Sequence, residues 1–100
     1  MLQWLLTPSA FEGDPKGFAL NQIGHVALGA ALAWALGPLG ALALCALWEG
    51  AHLGLGGTLW DGLEDAGFVA AGVLALTTPV SALALAALFL GAGVARRAGL

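Results

Sequence analysis

The chain has 100 residues, of which 60% are hydrophobic and only 9% are charged, and its mean hydropathy is +0.93. This composition excludes an ordinary soluble domain and predicts a single integral membrane domain. The formal net charge is -3. Three basic residues are too few to form a nucleic-acid footprint, so nucleic acid is excluded as a partner.

The N-terminal segment, residues 1–16, mixes apolar and aromatic residues with Glu12, Asp14 and Lys16. Such a mixture is typical of a segment that lies at the level of the lipid headgroups. Because no basic region precedes its short apolar stretch, we expect no cleaved signal peptide. We interpret residues 1–16 as an interfacial arm, followed by a transmembrane domain at residues 17–97.

Two stretches without any charged residue, 17–48 and 66–95, are 32 and 30 residues long. About 20 apolar residues cross a bilayer, so each stretch is long enough to span the membrane. Turn-forming residues interrupt the apolar sequence at residues 37–40, 56–58 and 77–79. Thr58 is a candidate N-cap for the helix that follows it. The sequence therefore predicts an all-α bundle of four transmembrane helices, at about residues 18–36, 39–55, 59–76 and 80–95.

One alternative treats residues 66–95 as a single kinked helix, which gives three spans. With four spans, Lys16 and the Arg96-Arg97 pair lie on the same side of the membrane, which the positive-inside rule assigns to the cytoplasm. With three spans, one basic end would lie outside. We therefore favour four spans in the inner (cytoplasmic) membrane, with both termini in the cytoplasm.

Polar side chains form three short stripes within this apolar chain. Residues three or four apart share one face of a helix. At a rise of about 1.5 Å per residue, His25, Glu49 and Asp65 each lie about 9 to 10 Å from the helix end at the same membrane face. Ionisable residues in a membrane are costly and are candidates for function. The candidate site residues are Asn21 and His25, Glu49 and His52, and Asp61 and Asp65.

The stripes are compatible with three kinds of site. One is a hydrogen-bonded network that fixes how the helices face each other, and another is a site for a cation, a proton or a lipid headgroup. The third is a metal centre, because Glu49 and His52 have the Glu-x-x-His spacing of metal-binding bundles. Its ligands, which suit zinc, iron or manganese, would be His25, Glu49, His52 and Asp65. We expect no obligatory cofactor, with a divalent metal as the alternative.

Several other residues have simpler interpretations. Cys45 is expected to be a small core residue, and Arg96 and Arg97 are expected to act chiefly as a topological stop. Small residues four apart let helix backbones approach closely. They are Gly29, Ala33 and Gly37; Gly50 and Gly54; and Gly62, Ala66 and Ala70.

The polar motifs resemble those of the VanZ-like family of small bacterial membrane proteins. The matching motifs, within residues 21–72, are Asn21-Gln22-Ile23-Gly24-His25, Trp48-Glu49-Gly50-Ala51-His52 and Asp61-Gly62-Leu63-Glu64-Asp65. The family has Asp-Lys where this chain has Asn21-Gln22, and an asparagine where it has Asp65. The resemblance implies a multi-span membrane protein linked with glycopeptide resistance or envelope functions.

Three functions follow from these observations. The first is a non-enzymatic membrane protein whose polar cluster organises the bundle and binds a cation or headgroup. The second is a membrane hydrolase in which a metal at Glu49, His52, His25 and Asp61 or Asp65 activates water against a lipid-linked substrate. The third is a phage holin, a virion membrane protein or an accessory subunit. The expected partners are the lipid bilayer, further copies of the chain or a larger membrane complex. No nucleophile or nucleotide motif is present, which favours a non-enzyme.

Overall fold

The structure, a computed structural model, describes residue 8 and residues 10–99. Within this part of the chain there are three α-helices and no β-strand: α1 (Pro15–Gly54), α2 (Leu59–Ala75) and α3 (Pro79–Arg97). The all-α class is therefore confirmed. Half of the predicted interfacial arm, residues 1–7 and 9, lies outside the described residues. Residues 10–13 form a turn, and residues 15 and 16 already belong to α1.

The first helix begins three residues earlier than the sequence predicts, and its start has a clear chemical cause. The Asp14 carboxylate accepts a hydrogen bond from the Gly17 N–H at 2.9 Å, which satisfies one of the free donors of the first turn. Pro15 occupies the first helical position, where its missing N–H costs nothing.

Helix α1 folds back on itself at Gly37. A straight helix of 40 residues would be about 60 Å long at a rise of about 1.5 Å per residue, whereas the principal axes of the molecule extend 35 × 27 × 18 Å. Gly37 has φ 79° and ψ 164°, and Pro38 follows it. We call residues 15–36 the first arm of α1 and residues 38–54 the second arm.

The expectation of four transmembrane helices is not supported, since residues 10–99 form three helices. The predicted helix at about residues 39–55 is the second arm of α1, because a single residue makes the whole turn. The alternative prediction has three helices too, but it requires residues 66–95 to form one continuous helix. The chain is instead broken there, between Ala75 and Pro79, where the N–H groups of Thr77 and Thr78 both bond to the Leu74 carbonyl oxygen.

Replacement of Gly37 with alanine is expected to destabilise the hairpin of α1 by about 1–3 kcal/mol, because only glycine readily adopts this backbone conformation. The control is Gly50→Ala, since Gly50 is helical and a β-carbon there would meet nothing within 4 Å. The measurement is the free energy of unfolding in mixed detergent micelles. Equal values for the two variants would contradict this account of the turn.

Helix α2 packs against both α1 and α3, and one aromatic ring from each helix joins the three. The Phe68 ring of α2 meets Phe18 of α1 and Phe89 of α3 edge to face, with ring centroids 6.0 Å apart in both pairs. Nearer the turn of α1, Ala33, Ala41 and Val73 form a small buried core. These contacts join the two arms of α1 to α2.

The first arm of α1 and α2 approach each other closely at two glycines. A β-carbon at Gly29 would overlap the Val69 carbonyl oxygen, and one at Gly72 would overlap the Val26 carbonyl oxygen. The small-residue pattern thus marks a real contact at Gly29. Gly50 and Gly54 of the same pattern have open space around them instead.

Much of the outer surface is apolar. Helices α1 and α3 are long and apolar enough to cross a membrane, yet only 17% and 11% of their most apolar windows are buried inside the bundle. Large side chains such as Trp34, Leu55 and Val80 are 84%, 86% and 81% exposed. The core helix of a soluble protein would bury most of such a surface.

Candidate functional site

The charged residues of the chain all lie at one end of the bundle, which we call the polar end. They occur only at residues 12–16, 49–65 and 96–97. The chain reverses at Gly37 and at residues 76–78, so these three stretches meet at the end opposite those turns. Contacts between residues 10, 61, 64 and 97 join them directly.

Arg97 is at the centre of the first polar group, which we call the Arg97 clasp. Its guanidinium donates two hydrogen bonds to the Glu64 carboxylate, at 2.8 and 2.6 Å, and its Nε donates to the Ala10 carbonyl oxygen at 2.9 Å. The Asp61 carboxylate lies 3.6 Å away. The side chains of Arg97 and Glu64 are only 3% and 4% exposed, so the clasp is a buried ion pair with bidentate geometry.

Neighbouring residues fix the geometry of the clasp. The guanidinium carbon of Arg97 lies 3.9 Å from the centre of the Phe18 ring, a favourable position for a cation. Gly93 leaves room for that ring, because a β-carbon there would overlap it. The Thr58 hydroxyl accepts from the Asp61 N–H and donates to the Asp61 carboxylate at 2.8 Å, which confirms the predicted N-cap and orients Asp61.

The second polar group, which we call the Asp65 cluster, joins α2 to the first arm of α1. Gln22 Nε2 donates to Asp65 Oδ1 at 3.1 Å, and His25 Nε2 lies 3.6 Å from the same oxygen. His25 Nδ1 lies 2.9 Å from the Asn21 carbonyl oxygen. The Asn21 side-chain amide nitrogen lies 3.5 Å from the same ring nitrogen, and Nε2, on the other side of the ring, faces the Asp65 carboxylate.

Glu49 and His52, on the second arm, are held less firmly. His52 Nδ1 lies 3.9 Å from Glu49 Oε2, and the His52 ring contacts Trp48 edge to face, with centroids 4.7 Å apart. The Glu49 side chain is 14% exposed and the His52 side chain is half exposed. Among the described residues we find no hydrogen bond to the Glu49 carboxylate.

A cavity of about 480 Å³ lies between the two arms of α1, with Val69 of α2 on its wall. His25 and Glu49 are both twelve residues from Gly37, so they face each other at one depth on antiparallel arms. From there the cavity extends toward the turn of α1 along apolar side chains. These include Leu28, Leu32, Leu44 and Cys45.

The six candidate residues therefore fall into three places. Asn21, His25 and Asp65 belong to the Asp65 cluster, Asp61 belongs to the clasp, and Glu49 and His52 lie beside the cavity. No group of three or more His, Cys, Asp or Glu side chains within residues 8 and 10–99 is arranged to hold a metal ion. The metal set of His25, Glu49, His52 and Asp65 stays a prediction without geometric support.

Three residues central to the polar end were not among the candidates: Gln22, Glu64 and Arg97. Gln22 lies on the buried face of the first arm, whose buried residues are Phe18, Gln22, Gly29 and Ala33. That spacing of four, seven and four is a signal present in the sequence. Glu64 follows Asp61 by three residues on the same helix, but only the fold brings Arg97 to it.

Comparison of the chain with protein-family models, with curated proteins and with solved structures found no match. The resemblance to the VanZ-like family thus stays a prediction from the motifs alone.

Proposed function

We propose that the protein is a non-enzymatic integral protein of the inner membrane, VanZ-like in its polar motifs, whose polar end organises the bundle and binds a cationic group. One observation carries the binding role. Glu49 is a carboxylate without a hydrogen-bond donor among the described residues, and it lies on the wall of an apolar cavity. Its ion-pair contact among the described residues is with the half-exposed His52 ring, 3.9 Å away, so the carboxylate can still accept hydrogen bonds from a bound cationic group.

The surface of α1 and α3 supports the membrane location. Exposed apolar area of this extent would promote aggregation in water. In a bilayer the same surface contacts acyl chains, while the helices satisfy their own backbone groups. Trp34, at the end opposite the charges, suits an aromatic residue at the second membrane interface.

Contacts at the polar end support the orientation. Because Arg97 donates to the Ala10 carbonyl oxygen, both ends of the described chain lie at the same end of the bundle. Lys16 and Arg96 belong to that end as well. The positive-inside rule places such an end in the cytoplasm.

The buried acids support an organising role rather than a catalytic one. Glu64 and Asp61 face Arg97, and Asp65 accepts from Gln22. Carboxylates engaged in this way join specific helices to each other. Glu49 is the exception, which is why we assign the ligand to it.

Cysteine labelling tests the membrane location and the orientation together. In a Cys45→Ala background, we expect Leu39→Cys to react with a membrane-impermeant maleimide from the periplasmic side, and Ala98→Cys to react only in inverted vesicles. Both positions are exposed and lie at opposite ends of the bundle.

Extraction of the membranes with alkaline carbonate is the second measurement, and it should leave the protein in the membrane pellet. Its release would contradict an integral protein, and labelling of both cysteines from one side would contradict the orientation.

Metal analysis of the detergent-purified protein separates this proposal from a metal-dependent hydrolase. A hydrolase should contain a stoichiometric transition metal that is lost in both Glu49→Gln and His52→Ala. That result would overturn the non-enzymatic proposal.

A further inference from the structure

The cavity between the arms of α1 has one charged wall and otherwise apolar walls. Glu49 and His25 line the part of the cavity nearest the polar end of the bundle, and leucines of both arms line the remainder. His25 Nδ1 is engaged with the Asn21 carbonyl oxygen, and Nε2 faces Asp65. Glu49 is therefore the acceptor that the cavity offers to a ligand.

The dimensions of the cavity suit an amphiphile rather than a bare ion. Between the level of His25 and the level of Leu32 it extends about 10 Å at a rise of about 1.5 Å per residue. Its volume of about 480 Å³ falls in the usual range for small-molecule sites. A bare cation would leave the leucine-lined part empty.

The charges around the cavity select the sign of the headgroup. Glu49 lines it and Asp65 lies behind His25, whereas Arg97 is held by Glu64 and does not line the cavity. An anionic headgroup would meet the Glu49 carboxylate, and no lysine or arginine is among the residues that line the cavity. A primary ammonium brings one positive charge and three N–H donors.

We propose that this cavity binds a membrane lipid with a primary ammonium headgroup, of the phosphatidylethanolamine type. The ammonium donates to Glu49, and an acyl chain lies along Leu28 and Leu44. Glu49 is five residues from the end of α1, which is about 8 Å at a rise of about 1.5 Å per residue and close to headgroup level. The inference rests on the membrane location proposed above.

Trp48, on the cavity wall, provides the reporter. The test uses the full chain in bilayers of phosphatidylcholine, with Trp4, Trp34 and Trp60 replaced by phenylalanine. Brominated lipids, which quench tryptophan, are added as a minor component with either an ethanolamine or a choline headgroup. We expect an apparent affinity about tenfold higher for the ethanolamine lipid, the size of effect that a hydrogen bond to a charged group gives.

Controls separate the cavity from the general lipid surface. A variant in which Trp34 is the remaining tryptophan should be quenched equally by both lipids, because Trp34 is exposed at the end of the bundle opposite the polar end. Glu49→Gln should remove the preference seen at Trp48, and Glu12→Gln, at an exposed acid away from the cavity, should keep it. Ethanolamine lipids with one and two N-methyl groups should bind progressively more weakly, because each methyl group removes one N–H donor. This series tests the site in the protein with Glu49 unchanged.

Equal quenching of Trp48 by all headgroups would overturn the lipid site. So would a preference that survives in Glu49→Gln. Either result leaves the membrane proposal standing if the protein still resists carbonate extraction. Release by carbonate would instead contradict the membrane location itself.

Discussion

Replacing Arg97 with methionine is expected to destabilise the bundle by about 3–5 kcal/mol, the usual cost of removing one partner from a buried ion pair. The Glu64 carboxylate would then lie in the interior without a cation, because its side chain is only 4% exposed. The Ala10 carbonyl oxygen would also lose its donor. The measurement is the free energy of unfolding in mixed detergent micelles, followed by helical circular dichroism.

Arg96 provides a matched control for this prediction. It is the adjacent arginine, is exposed, and stacks over the Trp60 ring at 3.7 Å. Such a contact contributes about 0.5–1 kcal/mol, so Arg96→Met should have a small effect. The double variant Glu64→Leu with Arg97→Met should recover much of the lost stability, because the buried Glu64 charge is removed together with its partner, while the Asp61 carboxylate keeps its hydrogen bonds from the Thr58 hydroxyl and the Ala10 N–H. Equal losses in Arg96→Met and Arg97→Met would show that the clasp does not hold the bundle.

Replacing Gly72 with alanine is expected to separate the first arm of α1 from α2 and to destabilise the bundle by about 1–3 kcal/mol, as overpacked cores do. The obstacle is backbone rather than a movable side chain, since the new β-carbon would overlap the Val26 carbonyl oxygen and would lie 2.8 Å from the Ala30 nitrogen. The same assay measures the effect. Gly29→Ala should behave alike, because it meets the Val69 backbone.

Helical glycines with open surroundings serve as controls here. A β-carbon at Gly24 or Gly91 would meet nothing within 4 Å. Alanine is the better helix former by about 1 kcal/mol, so Gly24→Ala and Gly91→Ala should be neutral or stabilising. If Gly72→Ala were equally stabilising, then the close approach of the two helices would be wrong.

The sequence predicted those parts of the fold that depend on local chemistry. Thr58 caps α2 as expected, and the chain breaks at residues 76–78 before Pro79. At Gly37 the pattern predicted a turn of several residues, but one residue with positive φ suffices. Local composition signals that a helix is interrupted, whereas it does not give the length of the interruption.

The candidate site was predictable only where sequence position determines depth. His25, Glu49 and Asp65 were expected at similar depth, and His25 lies 3.6 Å from Asp65 while Glu49 shares its cavity. The pairing of Glu64 with Arg97 was missed, because it depends on which faces of α2 and α3 meet. Spacing within one helix carries no information about that choice.

The clasp also bears on the order in which the chain is assembled during synthesis. Glu64 precedes Arg97 by 33 residues, so the ribosome delivers the carboxylate before the cation that neutralises it. Until α3 has packed against α2, the Glu64 carboxylate lacks its cation and the Ala10 carbonyl oxygen lacks its donor. Closing the clasp is therefore a late event in the formation of the bundle, because the last helix has to pack before Glu64 gains its cation.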